Sequence, residues 1–143
     1  MTNTPFAPLI TTQASLREAW RHLMGPWSFG GQSVWMMLIV DDRPIPQLIE
    51  ITESEEPPGA ASAEMLSELL RQLDREIAPG ARFAFLRSRP GVGAITELDR
   101  RWATTLYAAA RLAGVACEVV HLATRDAIRP IPQDDVGAIA IPA

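Results

Sequence analysis

The sequence predicts one mixed α/β domain, a mixed β-sheet with about three helices packed against it. Three observations lead there. The run SVWMMLIV (residues 33–40) is apolar without alternation, the pattern of a strand covered on both faces. Segments opening at Ser15, Ser62 and Thr96 each carry apolar residues at spacings of three and four behind a capping residue, the pattern of helices with one buried face. Short β-rich runs bounded by Gly, Pro and Asp alternate with these segments, giving the order helix, strand, strand, helix, strand, helix, strand, strand.

Residues 1–12, with Pro5 and Pro8 and little periodicity, read as a flexible N-terminal arm, and residues 13–143 as the single domain. Ser15-Leu16-Arg17-Glu18 has the form of a capping box, which predicts a helix to about Met24 with Leu16, Trp20 and Leu23 on one face, stopped by Gly25-Pro26. Trp27 and Phe29 then read as lid residues over the core, with a partner-binding role as the alternative. Residues 33–40 form a central strand, Asp41 to Pro44 a turn, and residues 45–51 a strand whose neighbouring prolines, Pro44 and Pro46, favour an edge. The acidic loop at 53–61 is too short to separate domains. Ser62 opens a second helix to about Ile77, with a stripe of Met65, Leu66, Leu69, Leu70, Leu73 and Ile77, ended by Pro79-Gly80. Residues 82–86 are a short inner strand, and Thr96 caps a third helix that Gly114 terminates. Residues 116–122 and 127–131 finish as strands.

At 143 residues and 48% hydrophobic, the chain is long enough for one core, burying roughly two thirds of its unfolded surface. No apolar run approaches the roughly 18 residues of a membrane span, and the start lacks the basic and apolar regions of a signal peptide, so the expected location is cytoplasmic. One cysteine, Cys117, cannot form an internal disulfide, and with His22 and His121 as the two histidines no zinc cluster is expected, nor any cofactor. The net charge of −4 argues against nucleic-acid binding by the whole chain, yet residues 82–129 hold eight arginines against four acids.

That basic part contains the stretch LRSRPGVGAITELDRRW (residues 86–102), a strand end, a glycine-rich bend and a helix start. If Arg87 and Arg89 both lie at the end of this strand, alternation sends them to one face and Ser88 to the other. Two guanidiniums beside a helix start suit a carboxylate or phosphate ligand; internal pairing with Asp99, Glu97 or Asp41-Asp42 is the plainer alternative. Asp99 stands third in a helix capped by Thr96, so a capping box explains it, and on that reading Asp99→Asn costs about 1 kcal/mol. His121 on an inner strand reads as a core histidine or a proton-transfer base. Ser88, His121 and Asp99 make a nucleophilic triad in composition alone, because no Gly-x-Ser-x-Gly elbow surrounds Ser88.

The order of elements together with this bend resembles the JAB/MPN metalloprotease-like family, whose architecture is cytidine-deaminase-like, and most closely its bacterial RadC-like branch, over about residues 10–131. The family's His-x-His-Pro-x-Gly run corresponds to Arg87-Ser88-Arg89-Pro90-Gly91, its Ser-x-x-Asp to Thr96-Glu97-Leu98-Asp99, and its acidic turn after a central strand to MMLIVDDRP. TTLYAAARLAGVACEVVHL looks like its third helix, Gly-Val stop and histidine-bearing strand. The resemblance implies a site in which two histidines and the aspartate hold zinc and a glutamate, here nearest to Glu50 or Glu53, activates a water. Arginine stays protonated, offers no lone pair and repels a divalent cation. The span from Arg89 to Asp99 is also one residue shorter than the family's, a rebuilt bend.

The expectation is therefore a catalytically silent, metal-free domain acting as a scaffold or regulatory interaction module for a protein partner, with Arg87, Arg89, Thr96 and Asp99 as its site. One alternative is a metal-independent enzyme or anion-binding protein, in which Arg87 and Arg89 orient a small anion and Asp99, His121 or Glu50 handles protons. Another is a nucleic-acid-processing accessory protein, suggested by the basic segment and by the DNA-repair association of the RadC name.

Overall fold

Apolar side chains on both faces of residues 33–40 demand cover on both faces, and the strand they form, β1 (Ser33–Val40), receives it. Val34, Met36 and Leu38 are buried in one core cluster and Met37 and Ile39 in another. The computed structural model describes residues 9–24, 31–45, 49–53, 58–59, 61–91 and 93–133. The remaining strands are β2 (Arg43–Pro44), β3 (Ile49–Glu53), β4 (Arg82–Ser88), β5 (Ala116–Cys117), β6 (Val120–Ala123) and β7 (Ile128–Ile131). The helices are α1 (Gln13–Met24), α2 (Ser62–Glu76) and α3 (Glu97–Ala113). The result is a mixed α/β fold: the sheet runs β2-β1-β4-β6-β7, with β3 also paired to β1 and β5 to β4. Pairing is antiparallel except for β4 with β5 and β6.

Alternation along β4 divides the core. Phe83 and Phe85 pack with Leu70 of α2 and Trp102 and Leu106 of α3, whereas Ala84 and Leu86 pack with Leu16 and Trp20 of α1. The sheet is thus sandwiched, with α2 and α3 on one face and α1 on the other. Among the described residues no helix is long and apolar enough to cross a membrane.

Several boundaries differ from the sequence expectation, each for a local reason. α1 starts before Ser15 because the cap is a reciprocal pair one turn earlier: the Ser15 amide donates to Thr12 Oγ1 (3.0 Å) and the Thr12 amide to Ser15 Oγ (2.9 Å). The expected arm also joins the fold sooner, since Ile10 is buried and donates its amide to the Asp42 carbonyl (2.6 Å); residues 1–8 lie outside the described residues, as do Trp27 and Phe29. Ser62 is the first residue of α2 rather than its cap, and its hydroxyl accepts from the Gly59 amide (2.9 Å). Asp41 and Asp42 both take positive φ (53° and 63°), which tightens the turn to β2. The strand expected over 45–51 is β3, shifted to 49–53, while 46–48 lie outside the described residues. The strand expected over 116–122 breaks at Glu118 and Val119, where the Tyr107 hydroxyl enters the ladder, accepting from the Val120 amide (2.9 Å) and donating to the Ile131 carbonyl (2.7 Å).

Candidate functional site

β4 extends through Ser88, two residues beyond the expected strand, and this extension builds the site. It sends Arg87 to the α3 side of the sheet, the side of Phe83 and Phe85. The bend that follows is held to the neighbouring strand by its backbone: the Arg89 amide donates to the Ala123 carbonyl (3.1 Å) and the Arg125 amide to that of Gly91 (3.0 Å). Gly91 and Gly93 have φ of 88° and 110°, conformations that a side chain would strain, so the chain turns sharply into α3. Thr96 is the N-cap of α3, with the capping box that the sequence predicts: its amide donates to Asp99 Oδ2 (2.8 Å), and the Asp99 amide donates to its Oγ1 (3.2 Å).

Asp99 is completely buried, and both arginines converge on it. Arg87 Nε donates to Oδ1 at 2.8 Å; Arg89 Nε reaches Oδ1 at 3.1 Å and Oδ2 at 3.2 Å, and Arg89 Nη2 reaches Oδ2 at 3.1 Å. Arg87 is 1% exposed and also donates to the side-chain oxygen of Gln32, while Arg89, 12% exposed, also donates to the Ala94 carbonyl (3.0 Å). Burial on its own would raise the Asp99 pKa; hydrogen bonds from Arg89, the Thr96 amide and Arg87 outweigh it, and the carboxyl is held below its usual range. Burial lowers the pKa of Arg87, against the opposing pull of Asp99.

This geometry decides what the group can do. Asp99 receives three donor groups, two of them permanent cations, so it is a poor proton acceptor near neutral pH. Nor do the residues fit a zinc ion: two guanidiniums occupy the approach to the carboxylate, and among the described residues no three His, Cys, Asp or Glu side chains gather as ligands.

The other sequence candidates lie elsewhere. His121 sits across the sheet from Leu86 in register, on the α1 face, so Asp99 and His121 do not share a site. Its Nδ1 bonds to the Val119 carbonyl (3.0 Å), Nε2 has no partner among the described residues, and burial, with a smaller contribution from Arg17, lowers its pKa to about 4. Ser88 also faces α1, where its hydroxyl accepts from Trp35 Nε1 (2.9 Å); the composition of a triad is therefore divided between two faces of the sheet. Glu50 is exposed and pairs in register with Trp35, again on the face away from Arg87. The side chain of Glu53 lies outside the described residues. Asp42 pairs with Arg82 (2.5 Å), and Glu97 is exposed. Gln32 was missed by sequence reasoning, because its position follows from the register that sets Ser33 opposite Ser88.

Comparison with protein-family models, with curated proteins and with solved structures gives no match.

Proposed function

We propose that the chain is a catalytically silent, metal-free domain of RadC-like JAB/MPN descent that acts as a scaffold or interaction module. One observation carries the reading. The three positions that correspond to the family's ligands, 87, 89 and 99, bring their side chains to a single point, as ligands of one ion would, but deliver two guanidiniums and a carboxylate. The cluster is closed: both arginines are engaged by Asp99, and the amide at the start of α3 is satisfied by the capping box. That favours internal charge compensation over an anion-accepting pocket. The purified protein should contain no stoichiometric zinc by elemental analysis and should melt at the same temperature with and without a chelator. About one tightly held zinc per chain, lost together with folding on chelation, would refute the proposal.

A further inference from the structure

A module without chemistry of its own acts through a surface, and α2 offers one. Leu70 is buried over the sheet, with Leu66 and Leu73 half-buried beside it. Ser67 is buried, and Arg71, one turn further on, reaches the Leu112 carbonyl of α3 (3.1 Å), which fixes the α3 side of the helix. Met65 and Leu69 stand two residues before Ser67 and Arg71, about 200° around the helix, on the flank away from α3. There Met65 is 71% exposed and Leu69 36%.

Isolated exposed apolar residues are common, so the surrounding charge is what distinguishes this flank. α2 carries four carboxylates, Glu64, Glu68, Asp74 and Glu76, against two guanidiniums, Arg71 and Arg75. Glu68 and Glu76 are exposed and stand within about 60° of Met65 around the helix, whereas Glu64 falls beside Arg71, which pairs with Glu68 and is drawn toward α3. α3 packs on β4, β5 and β6, so the flank away from it lies on the β1 side of α2, where Leu70 shares a core cluster with Val34 and Met36 of β1. Two apolar side chains one turn apart with carboxylates around them are complementary to a helix that has apolar residues on one stripe and basic residues beside it.

We propose that this flank of α2 docks a basic amphipathic helix of a partner protein, its apolar stripe covering Met65 and Leu69 and its Lys or Arg residues meeting Glu68 and Glu76. The inference rests on the reading of the chain as an interaction module. A second copy of the chain fits less well, because a symmetric contact would set these carboxylates against one another.

The test uses a labelled synthetic peptide of about 18 residues, with leucines at helical spacing and lysines flanking them, and a counterpart with glutamates in place of the lysines. Fluorescence anisotropy at about 50 mM and about 300 mM salt should show the basic peptide bound, more weakly at high salt, and the acidic one not bound. Met65→Ser/Leu69→Ser should weaken binding about tenfold, Glu68→Gln/Glu76→Gln should weaken it and flatten the salt dependence, and Leu112→Ser, at an exposed leucine of α3, should change nothing. Thermal melts verify that each variant is folded, and backbone NMR shifts in the wild type should map the peptide to α2 without any substitution. Absence of binding, equal binding of the acidic peptide, indifference to Met65→Ser/Leu69→Ser, or shifts confined to another surface would overturn the proposal. So would self-association in sedimentation that Met65→Ser/Leu69→Ser abolishes, since the occupant would then be a second copy. Failure here leaves zinc content untouched, whereas zinc in the wild type refutes the silent-domain reading and says nothing about peptide binding.

Discussion

Arg87 and Ser88 are neighbours in β4, yet their side chains enter two buried polar regions organised in different ways. On the α3 face the groups are charged and mutually engaged: Arg87, Arg89 and the Thr96 amide all donate to Asp99. On the α1 face they are neutral and incompletely matched. Trp35 bonds to Ser88, but Nε2 of His121 and Nε1 of Trp20 have no partner among the described residues. The contrast follows from the cost of burial. An unpaired buried charge costs several kcal/mol or is neutralised, whereas an unpaired neutral donor or acceptor costs about 1–3 kcal/mol and survives in an otherwise well-packed layer. His121 stays uncharged for the same reason: its pKa of about 4 lies on the side that burial favours.

The sharpest way to break this comparison is to remove the shared anion. Asp99→Ala leaves two guanidiniums facing each other out of water and should destabilise the protein by about 3–5 kcal/mol in urea unfolding. That is well above the roughly 1 kcal/mol of a helix cap on its own. A loss of only the cap's size would mean that the arginines do not depend on Asp99, and the two faces would no longer differ in kind.

The difference between those two figures shows where sequence reasoning stopped. The alternation of β4 placed Arg87 and Arg89 on one face, and Thr96-Glu97-Leu98-Asp99 identified the capping box, because both depend on nearest neighbours along the chain. The apolar run at β1 and the stripes of the helices likewise made the mixed three-helix fold legible. What stayed hidden depends on register between distant strands. Gln32 reaches Arg87 only because Ser33 lies opposite Ser88, and His121 is parted from Asp99 only because it is level with Leu86 on the other face. Burial was hidden too: the sequence leaves Asp99, Glu97 and Asp41-Asp42 open as partners of the arginines, and the completely buried carboxylate of Asp99 takes both.

The α1 face is probed by pH. His121 titrates lower in the folded chain, near 4, than the 6.5 of the free side chain, so the unfolded state binds its proton first. Stability should therefore fall as pH drops below about 6.5, by about 2 kcal/mol between pH 7.5 and 5. The Asp99 carboxyl, held below its usual range, contributes stability that is lost only at lower pH, below about 4. His121→Gln should flatten the profile over the first interval; a variant that keeps the wild-type slope would assign that slope to another group. A smaller effect is expected from Thr96→Ala, which removes the acceptor of the Asp99 amide but leaves both arginine contacts in place. About 1 kcal/mol should be lost, and a loss as large as that of Asp99→Ala would show the cap and the charge cluster to be one unit.

The most direct test of the central proposal, that positions 87, 89 and 99 correspond to the ligands of one metal site, is to place histidines at 87 and 89. Arg87→His/Arg89→His removes both guanidiniums and sets two imidazoles on the same side of the chain as the Asp99 carboxylate. Elemental analysis and zinc-dependent thermal melts, run beside the wild type, should find about one zinc per chain and a raised melting temperature in the double variant alone. A wild type that already carries zinc, or a double variant that gains neither zinc nor stability when zinc is supplied, would contradict the account.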